Sequence, residues 1–317
     1  MTGKQARSNL LLLLTALIWG CAFVAQSAGM DYVGPFTFNS ARSFIGAIFL
    51  LPCIALIDKM NGRKPSLWGV AATRQQRKML LLGGVAVGCV LTVASGVQQI
   101  GIMDTTVGKA GFITALYIII VPLLGLFAGR QPGIRVWVGV GLAVFGMYLL
   151  CMTQGLSIGK GDFYVFLSAV GFALHILIID YFSGRVDGVR MACMQFFVCG
   201  LLSAVPALLF ERPSVAALFS AWAPLLYAGV LSCGVGYTLQ IVAQKHTEPT
   251  IASLLMSLES VFAVLAGWVV LHETLTLREG LGCALVFAAI ILAQLPQHKK
   301  ISVGAADGVC GEEPKMP

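Results

Sequence analysis

The chain has 317 residues, of which 58% are hydrophobic and 11% are charged, and its formal net charge is +7. Soluble domains carry about 25% charged residues, so this composition excludes an ordinary soluble globule. Charged residues are confined to short breaks between apolar stretches of about 20 residues, the length that crosses a hydrocarbon core of about 30 Å. We therefore predict an all-α membrane protein with no room for a sizeable soluble domain.

Ten transmembrane helices are predicted. The first follows Lys4 and Arg7, and its apolar run exceeds the roughly 7–15 residues of a signal-peptide core, so we expect it to be retained. The ten spans are expected at residues 10–29, 36–57, 79–100, 107–128, 134–151, 162–182, 190–210, 222–244, 251–271 and 277–295. The loop 58–78 is basic and is expected to lie on the membrane surface. Residues 297–317 are expected to form a disordered cytoplasmic tail.

Basic residues are distributed unequally between the two membrane sides of the predicted spans. One side has only Lys109, Lys160, Arg212 and Arg278, whereas most of the remaining lysines and arginines fall on the other. The positive-inside rule then places both termini in the cytoplasm and the chain in the cytoplasmic (inner) membrane as a multi-pass protein. The membrane topology explains the excess of basic residues, so binding of nucleic acid is not needed to explain it. We therefore predict the lipid bilayer as a partner and no nucleic acid.

The two halves of the chain resemble each other. Residues 110–125 (AGFITALYIIIVPLLG) align with residues 252–267 (ASLLMSLESVFAVLAG), and LTA before Trp19 aligns with LSA before Phe172. Each half holds five spans, an odd number, so the two copies must lie in opposite orientations. We predict inverted repeats at residues 8–152 and 160–296. Secondary transporters commonly have this architecture, with the substrate site between the repeats near the bilayer midplane.

Three ionisable residues inside the predicted spans are candidates for function, because such groups are costly in a membrane. Glu259 fits a proton carrier, because burial disfavours the charged carboxylate. It also fits binding of a substrate amine, or a structural pairing with a neighbouring helix. Arg42 fits a substrate carboxylate, an acidic partner, or snorkelling to headgroups. His175 lies at a depth similar to Glu259 and fits a proton relay with it, or a hydrogen bond to a backbone carbonyl.

Three uncharged residues are further candidates for a substrate pathway. Trp19 lies near the midplane, away from the interfacial belt that tryptophan prefers. Tyr117 aligns with Glu259 in the repeat. Both fit the wall of a cavity, with core packing as the alternative. Gln26 is expected toward the outer end, in an exit vestibule.

No metal, cofactor or catalytic residue is predicted. The nine cysteines are scattered singly, without a CxxC pair. His272-Glu273 lacks the second histidine of a zinc-protease motif, because Thr276 occupies that position. A membrane-embedded enzyme would be expected to show paired carboxylates or a histidine cluster at one membrane face.

Three segments resemble the EamA-type branch of the drug/metabolite transporter superfamily: ALIWG at 16–20, GFITALYIIIVPLLG at 111–125 and ASLLMSLESVFAVLAGWVVLHETLT at 252–276. The family commonly has Leu-Glu-Pro-Val-Phe followed by Gly-Glu. This chain has Ser260 in place of the proline and His272 in place of the glycine. The resemblance implies two EamA repeats in a ten-helix inverted-repeat fold, with local helix geometry that differs near Ser260.

The resemblance also implies export of amino acids or other small metabolites. We therefore predict a secondary transporter that works by alternating access, with a small-molecule substrate, and not an enzyme. The sequence leaves open whether transport is coupled to H+ or is simple facilitation. The alternative is a membrane-embedded sensor or scaffold without transport.

Overall fold

The computed structural model describes residues 3–69, 73–151, 159–271 and 276–294, and within these ranges all regular structure is helical. The ten helices are α1 Gly3–Gly29, α2 Pro35–Met60, α3 Arg74–Ile102, α4 Val107–Phe127, α5 Ile134–Cys151, α6 Lys160–Ser183, α7 Gly188–Glu211, α8 Trp222–Gln244, α9 Pro249–Met256 with Glu259–Leu271, and α10 Leu277–Gln294. A short helix, Val215–Ser220, precedes α8.

Each of the ten predicted spans corresponds to one of these helices, which confirms an all-α membrane protein. Eight helices are long and apolar enough to cross a bilayer, and shorter apolar helices cover Ile134–Leu149 and Gly280–Ala293. The predicted tail at 297–317 and the pair His272-Glu273 lie outside the described residues.

Some helices extend beyond the apolar segments that predicted them. Helix α1 begins at Gly3, α2 ends at Met60 and α3 begins at Arg74, so the loop predicted at 58–78 is shorter at both ends. Thr73 caps α3 through a capping box: its hydroxyl accepts from Gln76 N, and the Gln76 side chain accepts from Thr73 N. A hydropathy profile does not detect polar first turns of this kind, because they lie outside the apolar run.

The two five-helix repeats are related by pseudo-two-fold symmetry, which confirms the predicted inversion. Helix α5 packs on α10, and α2 packs on α7. The packing of α3 on α6 has its counterpart in α8 on α1, and that of α4 on α6 has its counterpart in α9 on α1. Inverted repeats of this type place a central site between them.

Glycines bring the repeats into close contact. A Cβ added to Gly88 of α3 would lie 2.8 Å from the Gln195 carbonyl oxygen of α7, and one added to Gly20 of α1 would lie 2.7 Å from the Glu259 carbonyl oxygen of α9. Small residues allow this backbone approach between membrane helices. Gly20 therefore fixes the distance between α1 and the central part of α9.

Helices α4 and α9 are both interrupted near their middle. Helix α4 breaks at Leu116, and α9 breaks between Met256 and Glu259. In α4, Pro122 follows the break and lacks a backbone donor. No proline lies in the corresponding part of α9.

Serine hydroxyls satisfy backbone carbonyls at the break in α9. Ser257 donates to Leu254 O at 2.8 Å, and Ser260 donates to Ser257 O at 2.8 Å. Serine hydroxyls that bond backbone carbonyls in this way often bend membrane helices. Helix α9 is thus broken although Ser260 replaces the proline, and the two breaks place Tyr117 and Glu259 at corresponding positions.

Candidate functional site

A narrow cavity lies between the two repeats, with a free volume of about 30 Å³. Ligand sites in proteins are commonly lined, as this cavity is, by apolar and aromatic side chains together with a few polar groups. All six residues singled out from the sequence line it: Trp19, Gln26, Arg42, Tyr117, His175 and Glu259. Their roles remain predictions, but the fold brings them to one place.

Glu259 and Tyr117 meet inside this cavity. The Tyr117 hydroxyl donates a hydrogen bond of 2.9 Å to Glu259 Oε1, and both residues are only 2% exposed. Each is the first helical residue after the break in its own helix. No basic side chain in the described part of the chain forms a salt bridge with Glu259, so its carboxyl group faces the neutral phenol of Tyr117.

Arg42 is buried, with 5% of its surface exposed, so it does not snorkel to headgroups. Its Nε and Nη2 donate to Asn39 Oδ1 at 3.0 and 2.8 Å, and its Nη1 donates to Gln26 Oε1 at 2.6 Å. These bonds use three of the five guanidinium N–H groups. Within the described ranges, no carboxylate forms a salt bridge with Arg42, which leaves a positioned cation and two N–H groups for a ligand.

Neighbouring polar groups fix the orientation of Arg42. Asn39 Nδ2 donates to Ser203 Oγ of α7 at 2.9 Å, and the guanidinium lies 5.7 Å from the centre of the Phe38 ring. Gln26 is therefore a direct partner of Arg42 and lies in the central cavity with it. The exit-vestibule role of Gln26 stays a prediction.

His175 pairs with a glutamine. His175 Nε2 and Gln195 Oε1 lie 3.3 Å apart, and His175 is 1% exposed. Among the described residues, no hydrogen bond joins His175 to Glu259, although both line the cavity. A direct relay between these two side chains is therefore absent from this arrangement.

Tyr237, Trp19 and His175 line one wall of the cavity, and Phe196 packs against Tyr237. The Tyr237 ring centroid lies 4.5 Å from that of Trp19, 5.6 Å from that of His175 and 5.3 Å from that of Phe196. The indole Nε1 of Trp19 is buried without a hydrogen-bond partner in the described structure. This wall offers π faces to a cation.

Tyr237 and Gln240 are cavity residues that the sequence analysis did not single out. Gln240 is 1% exposed, and its Oε1 has no hydrogen-bond partner within the described residues. The sequence does contain a signal, because the spacing from Tyr117 to Glu259 also separates Gln98 from Gln240. Gln98 lines the cavity as well and donates to Thr114 Oγ1 at 3.0 Å.

The site is symmetric in position but asymmetric in chemistry. The spacing from Trp19 to Phe172 also separates Arg42 from Gln195, so the two-fold counterpart of the cation is neutral. The counterpart of Glu259 is Tyr117, which is also neutral in its ordinary protonated form. One cation and one carboxyl group therefore line the same cavity, an arrangement that suits a small solute carrying both charges.

Comparison with known proteins connects this architecture to a family. The sequence matches the EamA-like transporter family over residues 6–152 and 159–295. It is 29% identical to an uncharacterized transporter of Archaeoglobus fulgidus, over 92% of this chain and 87% of the relative. It is 25% identical to the threonine/homoserine exporter RhtA of Escherichia coli, over 94% of both chains.

The fold is also found among solved structures. One crystal structure superposes with a TM-score of 0.74 at 18% sequence identity, covering 92% of this chain and 97% of the other. At this level of identity the likeness concerns the fold alone.

Proposed function

The chain belongs to the EamA-like transporter family, and we propose that it exports amino acids or similar small zwitterions by alternating access in exchange for protons. The observation that carries this proposal is the pairing, in one buried cavity, of an arginine without a carboxylate partner among the described residues and a glutamate hydrogen-bonded to a neutral tyrosine. We place the chain in the cytoplasmic membrane with both termini inside, as the basic residues favour.

In this proposal, Arg42 binds the substrate carboxylate. Asn39 and Gln26 accept hydrogen bonds from its guanidinium, and the two remaining N–H groups suit a carboxylate. Burial strengthens such a contact and makes an unoccupied cation costly. Arg42 thus selects substrates that carry a negative group.

Glu259 binds the substrate ammonium when it is ionised and a proton when the substrate has left. A single carboxylate cannot hold both, so proton binding displaces the substrate, and this competition produces exchange. With a proton gradient directed inward, exchange drives the zwitterion outward. The Tyr117 hydroxyl stabilises the ionised state through its hydrogen bond.

The rest of the cavity suits a short side chain. Trp19 and Tyr237 provide an aromatic wall, and Gln98 and Gln240 supply amide groups. The name of the Escherichia coli relative, an exporter of threonine and homoserine, supports small hydroxylated amino acids as the first substrates to examine.

The test is efflux from proteoliposomes loaded with radiolabelled threonine or homoserine. Two analogues serve as comparisons: an amino alcohol that lacks the carboxylate and a hydroxy acid that lacks the amine. We expect flux of the zwitterions alone, and a fall of about tenfold or more in Arg42→Gln. Arg63→Gln, on an exposed cation in the α2–α3 loop, is the matched control. Equal flux of either analogue would overturn the proposed substrate class.

A further inference from the structure

The contact between α2 and α7 has a carboxylate at each end. We name the side where α2 ends and α7 begins the basic face, because Lys59, Arg63 and Arg185 lie there, and the other side the opposite face. At each face, an acidic residue from the last turn of one helix meets the first turn of the other. The two acids are Asp58 and Glu211.

At the basic face, Asp58 of α2 binds Arg190 of α7. Arg190 Nη2 lies 2.6 Å from Asp58 Oδ1 and 2.7 Å from Oδ2, and the Arg190 and Asp58 side chains are 7% and 3% exposed. Arg190 Nε also donates to Ser66 O at 3.1 Å, while Ser66 N donates to Asp58 Oδ2 at 3.0 Å. This ion pair therefore joins the two repeats and holds the α2–α3 loop against them.

At the opposite face, Glu211 of α7 binds the first turn of α2. Its Oε1 accepts from Phe36 N at 2.9 Å, and its Oε2 accepts from Thr37 N at 2.7 Å. These N–H groups have no partner within their own helix, because they belong to its first turn. A Cβ at Gly34 would lie 2.4 Å from Glu211 Cδ, so the Glu211 carboxylate occupies the space that a side chain at position 34 would fill.

The two contacts are counterparts under the inverted repeat. The spacing from Trp19 to Phe172 also separates Asp58 from Glu211 and Thr37 from Arg190. Each acid thus contacts the two-fold equivalent of the residue that the other acid contacts. Alternating access in inverted repeats moves one repeat against the other about a fixed site, which opens one face while the other closes.

We propose that Asp58 and Glu211 are two further functional residues of the transport cycle, acting as symmetry-related latches that are released in alternation. Opening the basic face requires release of Asp58 from Arg190, and opening the opposite face requires release of Glu211 from the start of α2. This proposal rests on the alternating access put forward above, but neither on the substrate nor on the proton.

The two latches differ in their partners. Asp58 binds a charged guanidinium in a buried position, whereas Glu211 binds neutral backbone donors and is partly exposed. Both contacts are charge-assisted, because each contains a carboxylate. Both are formed in this structure, so opening either face breaks one contact and leaves the other in place.

Hydrogen–deuterium exchange of the full chain in nanodiscs, without substrate, tests this inference. In Asp58→Asn we expect exchange at residues 61–69 and 188–190 to rise by about tenfold. We also expect exchange at residues 30–37 and 211–214 to fall, because the population moves to the state that is closed there. Glu211→Gln should produce the reverse pattern.

Two further variants separate a latch from a local structural contact. Gly34→Ala displaces the Glu211 carboxylate without changing any charge, so it should reproduce the pattern of Glu211→Gln. Asp31→Asn, on an exposed carboxylate in the turn before α2, should change neither face.

Reciprocal changes at the two faces support the latches. A rise confined to the mutated face, with the other face unchanged, would overturn the proposal and identify static contacts. Because no substrate is present, this outcome is distinguishable from a failure of the proposed transport activity, which the efflux assay measures separately.

Discussion

Tyr117 and Glu259 occupy equivalent positions in the two inverted repeats and are joined by a hydrogen bond of 2.9 Å. Each follows the break in its own helix, so the two interruptions of α4 and α9 create one contact at the centre of the molecule. Both members of this pair are polar, but only Glu259 carries an ionisable carboxyl group. The exchange mechanism that we propose depends on that difference.

Replacing Tyr117 should slow transport without uncoupling it. Tyr117→Phe removes the hydrogen bond to Glu259 but keeps the carboxyl group, so we expect flux to fall by about tenfold while its stimulation by a pH gradient persists. Glu259→Gln should instead lose the stimulation. Flux in proteoliposomes with and without an imposed pH gradient measures both effects, and Tyr181→Phe, on an exposed tyrosine, is the control. Loss of stimulation in Tyr117→Phe would contradict this division of roles.

Arg42→Lys should impair binding although it preserves the charge. Lysine lacks the planar fork that lies between Asn39 and Gln26, so the substrate carboxylate loses its oriented donors. We expect the KM for the zwitterion to rise about tenfold, with a smaller change in maximal rate. Concentration-dependent efflux provides the measurement. Arg63→Lys should leave KM unchanged, and an unchanged KM in Arg42→Lys would argue against a carboxylate site at this position.

Much of this architecture follows from the sequence because the bilayer constrains it strongly. Length, hydropathy and the distribution of basic residues predict ten helices, and the similarity between residues 110–125 and 252–267 predicts the inverted repeats. The same similarity pairs Tyr117 with Glu259. Candidate residues at mid-depth converge on one cavity because the repeats meet there.

Other features depend on contacts between distant segments and have no local signature. The partners of Arg42 are set by the packing of α1 and α2, and the partner of His175 is Gln195 on α7. The break in α9 occurs without proline, at serines whose hydroxyls bond carbonyls three residues earlier. A hydropathy profile treats such a helix as continuous.

Gly20→Ala should disturb both folding and function. The added methyl group would meet the Glu259 carbonyl and the Phe262 side chain, so α1 and α9 must separate beside the cavity. Overpacking of this kind typically costs about 1–3 kcal/mol. We expect a lower melting temperature together with reduced flux. Gly141→Ala, where nothing lies within 4 Å of the added atom, is the matched control and should behave like the parent protein.

Asp162 should contribute to stability at the start of α6. Its carboxylate accepts from Thr105 and from Gly159 N, and it forms an ion pair with Lys109 at 3.5 Å. Asp162→Asn weakens this cluster, which links α6 to the first repeat, and we expect a loss of about 1–3 kcal/mol. Thermal unfolding in detergent measures it, with Asp104→Asn, on an exposed carboxylate, as the control. Equal melting temperatures for the two variants would mean that the cluster contributes little.

The most direct test of the central claim is proton movement driven by a substrate gradient alone. Proteoliposomes loaded with threonine or homoserine and a trapped pH-sensitive dye are diluted into substrate-free buffer of the same pH. Exchange through Glu259 predicts that substrate efflux acidifies the lumen in the parent protein and that Glu259→Gln does not acidify it. Efflux of the zwitterion without any change in luminal pH in the parent protein would contradict proton exchange at Glu259.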